Sequence, residues 1–220
     1  GTNVLCTLLV LQEMGISAFG LNCTSADLCP DIIEEIAPYA KVPLIVKPSA
    51  VYETDGEKQK VSPEEFAFAV KKSVINGAEI VGGCCGTGKE HLSELRKMLD
   101  TLDASEIKSV EKQDTSLALA TENQMFFLDP ETTEFSPAVE CGPYMEDDIA
   151  QMCSENYDVL TVSINSPDDA IDFGRNMHMA TLPVAFLSDD EISLKMALML
   201  YQGRAIIDKK SLIEPEKLEA

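Results

Sequence analysis

Three cysteines carry the chemistry that can be read from this chain. Cys84 and Cys85 are adjacent and lie in the stretch Ile80-Val81-Gly82-Gly83-Cys84-Cys85-Gly86-Thr87-Gly88-Lys89-Glu90-His91, where a strand pattern runs through paired glycines into a helix start. Cys23 closes a second strand pattern, Gly20-Leu21-Asn22-Cys23. Ligands of α/β folds bind at the carboxyl ends of strands, and glycines there let the backbone turn so that both thiols face one point. The helix that follows favours thiolate over thiol. Adjacent cysteines do not readily pair with each other. Seven cysteines in a chain with no secretory pattern read as thiols or metal ligands rather than as a disulfide framework. Three thiolates from two strand tips suit Zn²⁺ at about 2.3 Å each, with the fourth tetrahedral position open, as in catalytic sites. The competing reading is three free thiols filling a tight strand end.

Other candidates point to packing. Cys6, in an apolar run, and Cys153, near a helix end, read as small buried hydrophobes, whereas Cys29 and Cys141, close to prolines, read as loop thiols. His91, one turn into a helix, and His178 read as surface or packing residues, and Met177, Met179, Met196 and Met199 as core filler. Acidic runs at 31–35, 146–148 and 189–191 sit at helix beginnings, where carboxylates complement the dipole. The spacing Gly83-x4-Gly88-Lys89 is that of a P-loop, but Glu90 stands where a Ser or Thr hydroxyl would bind Mg²⁺ and would repel phosphate.

Holding two strand tips together requires parallel strands joined by helices. The apolar and turn patterns predict helices at 2–14, 30–39, 63–76 and 89–102, with strands at 18–23, 43–48 and 79–84. Ser62 before Pro63-Glu64-Glu65 is a helix cap with proline at the first position. A hairpin is expected around 121–123 and irregular chain at 129–143, then helices at 145–153, from 166, and at 190–201, with strands at 158–164, 183–187 and 204–207. The polar tail from 209 is expected to fray. This is an α/β pattern of parallel β/α units of partial TIM-barrel type, divided into 1–103, a linker at 104–116, and 117–220. A complete (β/α)8 barrel takes about 250 residues. Two half-barrels therefore either close on each other or close on a partner chain.

Charge narrows the partners. The chain has 17 Lys+Arg against 38 Asp+Glu, a net charge of −21, which repels a phosphate backbone and disfavours nucleic acid. Apolar content of 45% with 25% charged residues is that of a folded globular chain. No span of about 20 apolar residues is present, so no membrane segment is expected and a cytoplasmic location is.

The stretches GLNC at 20–23, PLIVKPSA at 43–50, SPEEF at 62–66 and GGCCGTGKEHL at 82–92 resemble the C-terminal part of the homocysteine S-methyltransferase domain, as in cobalamin-dependent methionine synthases and betaine-homocysteine methyltransferases. By that resemblance Cys23, Cys84 and Cys85 are zinc ligands, Asn22, Gly82 and Gly83 shape the substrate site, and the activity is Zn-dependent methyl transfer to homocysteine in methionine biosynthesis. Cobalamin or methyltetrahydrofolate would come only with other domains or chains. The family's first barrel strands, with much of its homocysteine pocket, lie upstream of the matching stretch. A homo-oligomer or companion chain is thus expected to complete the barrel. Its Pro-Asn-Ala-Gly segment reads Pro48-Ser49-Ala50-Val51 here, and Gly88-Lys89 replaces a small residue and proline. Residues 158–165 and 182–208 resemble a degenerate pterin-binding barrel. Its polar positions read Thr161, Ser163, Leu187 and Asp208, so loss of pterin or folate binding is expected. The alternative function is a non-catalytic metal-binding or assembly module.

Overall fold

The structure is a computed structural model that describes residues 3–54, 57–211 and 213, with side chains at all of these except 53, 54, 57 and 58. It divides into two compact units, Leu11–Asp114 and the remainder, Gly1–Val10 with Thr115–Ala220. Helix α1 (Val4–Glu13) spans the boundary in sequence. The α/β expectation holds, with parallel strands alternating with helices in both units.

In the unit Leu11–Asp114, β1 (Phe19–Ser25), β2 (Leu44–Ser49) and β5 (Ile80–Val81) form a parallel sheet in the order β1-β2-β5. Between them run α2 (Cys29–Ile36), an antiparallel hairpin of β3 (Val51–Thr54) and β4 (Glu57–Lys60), and α3 (Pro63–Ile75); α4 (Lys89–Asp100) follows β5. Helix α3 starts where its sequence dictates. Ser62 Oγ accepts from the Glu65 N–H at 3.2 Å, and the Glu65 carboxylate accepts from the Ser62 N–H at 3.1 Å, a complete capping box. It stops at Asn76, followed by Gly77 at φ 119°. The buried face of α3 (Phe66, Ala67, Val70) packs with Ala26, Ala50 and Leu95.

Four parallel strands build the other sheet, in the order β11-β10-β9-β8: β8 (Val139–Glu140), β9 (Leu160–Ser163), β10 (Val184–Leu187) and β11 (Ile206–Ile207). Helices α5 (Met145–Ser154), α6 (Pro167–Asn176) and α7 (Glu191–Leu200) connect them, and β6 (Ala118–Ala120) pairs with β7 (Met125–Phe127) as a hairpin. Leu160, Val162, Val184 and Phe186 join Ile149, Phe173 and Leu194 in the core, with Phe173 edge-on to Phe186 at 5.1 Å.

Four expectations are corrected. The strand foreseen at 79–84 is regular only at Ile80–Val81, although the Gly82 and Cys84 N–H groups still donate to Val46 O and Pro48 O of β2 at 3.0 and 2.9 Å. The segment 129–143, expected to be irregular, contains β8, and the hairpin β3–β4 was not expected. Cys29 is no loop thiol but the first residue of α2, fully buried, because Pro30 here opens a helix. The tail beyond 213 lies outside the described residues. Among the described residues neither sheet closes into a barrel, and no helix is long and apolar enough to cross a membrane.

Candidate metal centre

The end of β1 is bulged. Asn22 pairs with Lys47 but Ser25 pairs with Ser49, so β1 advances three residues while β2 advances two. Cys23 sits in this bulge at φ 57°, the only non-glycine among the described residues with a left-handed backbone. That conformation costs an L-residue on the order of 1–2 kcal/mol and persists only where the surroundings impose it. The bulge re-aims the Cys23 side chain away from the regular alternation of the strand.

A backbone lattice fixes the adjacent pair. The Cys84 N–H donates to Pro48 O at 2.9 Å, and Cys85 O accepts from the Ala50 N–H at 2.8 Å and from Ser49 Oγ at 3.1 Å. Ser49, 5% exposed, has one hydroxyl proton between Val51 O at 2.5 Å and Cys85 O at 3.1 Å, so it ties the end of β2 to this turn; no motif signalled it, and only its place at the end of β2 could have suggested it. The Thr87 N–H donates to Cys84 O at 3.2 Å and closes a turn in which Gly86 takes φ 74°. A Cβ at Gly86 would strike the Val51 side chain, and one at Gly83 the Thr87 side chain, whereas one at Gly82 would make only an ordinary contact with Lys47 at 3.6 Å. The expected turn at Gly82-Gly83 is therefore carried by Gly86, and Gly83 is needed for close approach rather than for its dihedral.

The three sulfurs lie within 4.8 Å of one another. Cys23 and Cys84 are joined by a disulfide with Cα atoms 5.5 Å apart, and Cys85 Sγ lies 3.3 Å from Cys23 Sγ. The two strand tips converge within bonding reach although 61 residues separate them. In the reduced chain the same atoms are an all-sulfur donor set, which suits a soft ion. Tetrahedral Zn²⁺ with bonds of about 2.3 Å spaces its sulfurs about 3.8 Å apart, so the bonded Cys23–Cys84 pair has to be reduced and to separate before all three sulfurs can hold the ion. The residues fit the ion in donor type and in their convergence. No other such group of three occurs among the described residues. Cys23 and Cys85 are exposed, so the cluster is open to a ligand from solvent, and Asn22 is exposed beside it.

Neighbouring residues take structural roles. His91 Nδ1 accepts from the Gly88 N–H at 3.2 Å and its Nε2 lies 3.0 Å from Val61 O, with the ring edge-on to Phe66, so it packs α4 as expected. Cys6 is buried, and that burial raises its pKa. Burial foremost, then Asp27, pushes Cys29 up to about 11. Burial foremost, then Asp169, Asp172 and Glu140, pushes Cys141 to about 12. At the strand tips of the other unit Thr161 is buried with Oγ1 unpartnered, Ser163 accepts from Asn165 Nδ2 at 3.0 Å, Leu187 ends β10, and Asp208 caps a turn by accepting from the Lys210 N–H.

A sequence profile of the homocysteine S-methyltransferase family matches residues 1–99. The chain is 28% identical over 100 residues to a methionine synthase of Mycobacterium leprae, covering 43% of this chain and 8% of that one. It is 30% identical over 88 residues to a homocysteine S-methyltransferase of Bacillus subtilis, covering 38% and 28%. An uncharacterized protein of Saccharomyces cerevisiae is 30% identical over 86 residues, which cover 36% of this chain and 82% of that one. The chain thus spans only a small part of the length of the two enzymes.

Proposed function

We propose that this chain, whose residues 1–99 match the homocysteine S-methyltransferase family profile, is the part of such an enzyme that holds Zn²⁺ on Cys23, Cys84 and Cys85 for methyl transfer to homocysteine, forming methionine. The observation that supports this most is the convergence of three sulfurs from two strand ends within 4.8 Å. Cys23, Cys84 and Cys85 would hold the zinc, which when bound would favour the thiolate of homocysteine over its thiol, and their three negative charges would keep that sulfur electron-rich. The chain's own residues hold the geometry. The β1 bulge presents Cys23, the lattice to Pro48, Ser49 and Ala50 fixes Cys84 and Cys85, and Asn22, Gly82 and Gly83 border the substrate. In the overall reaction the donor–methyl bond breaks, a carbon–sulfur bond forms, and the thiol proton leaves to solvent. The donor, cobalamin or methyltetrahydrofolate, belongs to other domains or chains.

In this reading residues 1–103 are the partial methyltransferase barrel, 104–116 a linker and 117–220 a degenerate pterin-barrel segment without folate binding. The reducing cytoplasm keeps the three thiols available. The sheet β1-β2-β5 has two open edges, which favours completion by a second copy or a companion chain and also supports the second reading, a non-catalytic metal-binding assembly module. Native mass spectrometry of the fully reduced chain is expected to show one zinc per chain, lost in Cys84→Ser. Reduced protein that stays metal-free in added zinc, with all three thiols titrating freely, would refute the site. Homocysteine methylation that appears only with a companion chain marks a subunit of the enzyme; zinc binding without methylation in any combination marks the assembly module.

A further inference from the structure

Beside α3 lies a cavity of about 350 Å³, bounded by the β1–α2 turn, Tyr52 of β3, Lys60 of β4 and the α3 residues Glu65, Phe68 and Lys72. Its volume falls within the range of small-molecule sites, about 300–1,000 Å³. None of its lining residues is a sulfur of the metal cluster. Four charged side chains face it, and they are not equivalent. The two carboxylates are engaged locally: Asp27 accepts a short hydrogen bond from Ser25 Oγ, and Glu65 is held by the Ser62 N–H and hydroxyl at 3.1 and 2.9 Å. Among the described residues the two ammonium groups are not engaged by acids. Neither Lys60 nor Lys72 is in any of the ion pairs among the described residues, although the chain carries 38 acids to 17 Lys and Arg. Lys72 Nζ instead stands over the Phe68 ring, 5.1 Å from its centroid. That ring is 55% exposed on α3, and Tyr52 across the cavity is 36% exposed. Two aromatic rings and two cations without an acidic partner among the described residues thus line one hollow.

We propose that this cavity binds a small aromatic carboxylate, with its ring against Phe68 and Tyr52 and its single negative charge between Lys60 and Lys72. A polyphosphate is a poor fit, because Asp27 and Glu65 in the same wall repel additional negative charge. A neutral aromatic leaves both ammonium groups without the partner that gives the site its direction. The inference concerns a site separate from the sulfur cluster and does not depend on zinc or methyl transfer.

The test uses 1-naphthoate as the probe on the full chain, followed by amide chemical shifts and calorimetry. Saturable binding is expected, with shifts confined to 26–30, 52 and 60–72. Lys60→Gln and Lys72→Gln should each weaken it about tenfold, as loss of one charge-assisted contact does. The neutral isostere 1-naphthamide should bind at least about tenfold more weakly, and the remote Lys97→Gln should bind naphthoate like the parent. Circular dichroism identifies any variant that fails to fold, and for such a variant the amide-to-carboxylate comparison on the parent chain decides. Naphthoate binding weaker than about 10 mM, equal affinity for the amide, or an equal loss in Lys97→Gln would overturn the proposal.

Discussion

Cys23 is the residue on which the site turns, because its left-handed backbone at φ 57° is maintained where an ordinary strand residue would relax. Side-chain environment also ranks the thiols. Cys85 is exposed, whereas Cys29 and Cys141 are buried enough for their thiols to be pushed up to about 11 and about 12. In the reduced, metal-free chain, iodoacetamide at pH 8 is expected to label the exposed Cys23 and Cys85 before Cys29 and Cys141, read by peptide mass spectrometry; labelling of Cys141 ahead of Cys85 would contradict the structure. Residue types at strand ends made Cys23, Cys84 and Cys85 legible as a set. Their pairing was not legible, because a separation of 61 residues says nothing about distance until the strand order is known. Ser49 escaped for a similar reason: its hydroxyl matters through the carbonyl of Cys85, 36 residues away.

Elements with strong local signals form where the sequence puts them. The α3 cap is the clearest case: Ser62→Ala is expected to cost about 1 kcal/mol in urea unfolding, and no loss would show that packing alone fixes the helix start. Hydrogen bonds from Ser62 hold the Glu65 carboxyl below its ordinary 4.5. A carboxyl lowered by folding stabilises the fold above its unfolded pKa, and that contribution is lost as pH falls through the lower folded value. The stability difference between the parent and Glu65→Gln should therefore be constant near neutrality and shrink below about pH 4.5. Weak local signals failed. Strand β8 has two residues inside a turn-rich segment, and the regular part of β5 stops at Val81 although the Gly82 and Cys84 N–H groups still bond to β2. The hairpin β3–β4 brackets an Asp-Gly dipeptide, a recognised hairpin signal, yet its charged strands lack the apolar alternation that marks a core strand.

At the scale of the whole molecule, neither sheet closes into a barrel among the described residues, and each leaves strand edges without a β partner there. Ile80, 47% exposed on the edge strand β5, is expected to lie under a second chain. Sedimentation velocity should show the parent associating with itself or a companion chain and Ile80→Lys failing to do so while zinc content is unchanged; equal association of both would remove this edge from the interface. The α/β class was legible because alternating strand and helix patterns constrain topology strongly. The division into units was less so, since Gly1–Val10 groups with Thr115–Ala220 through long-range contacts that no local pattern announces. The most direct measurement is X-ray absorption at the zinc edge of the reduced, zinc-loaded chain, with and without homocysteine. Three sulfurs at about 2.3 Å, rising to four when homocysteine is added, are predicted; a shell of nitrogen and oxygen, or one that homocysteine leaves unchanged, would contradict thiol activation at Cys23, Cys84 and Cys85.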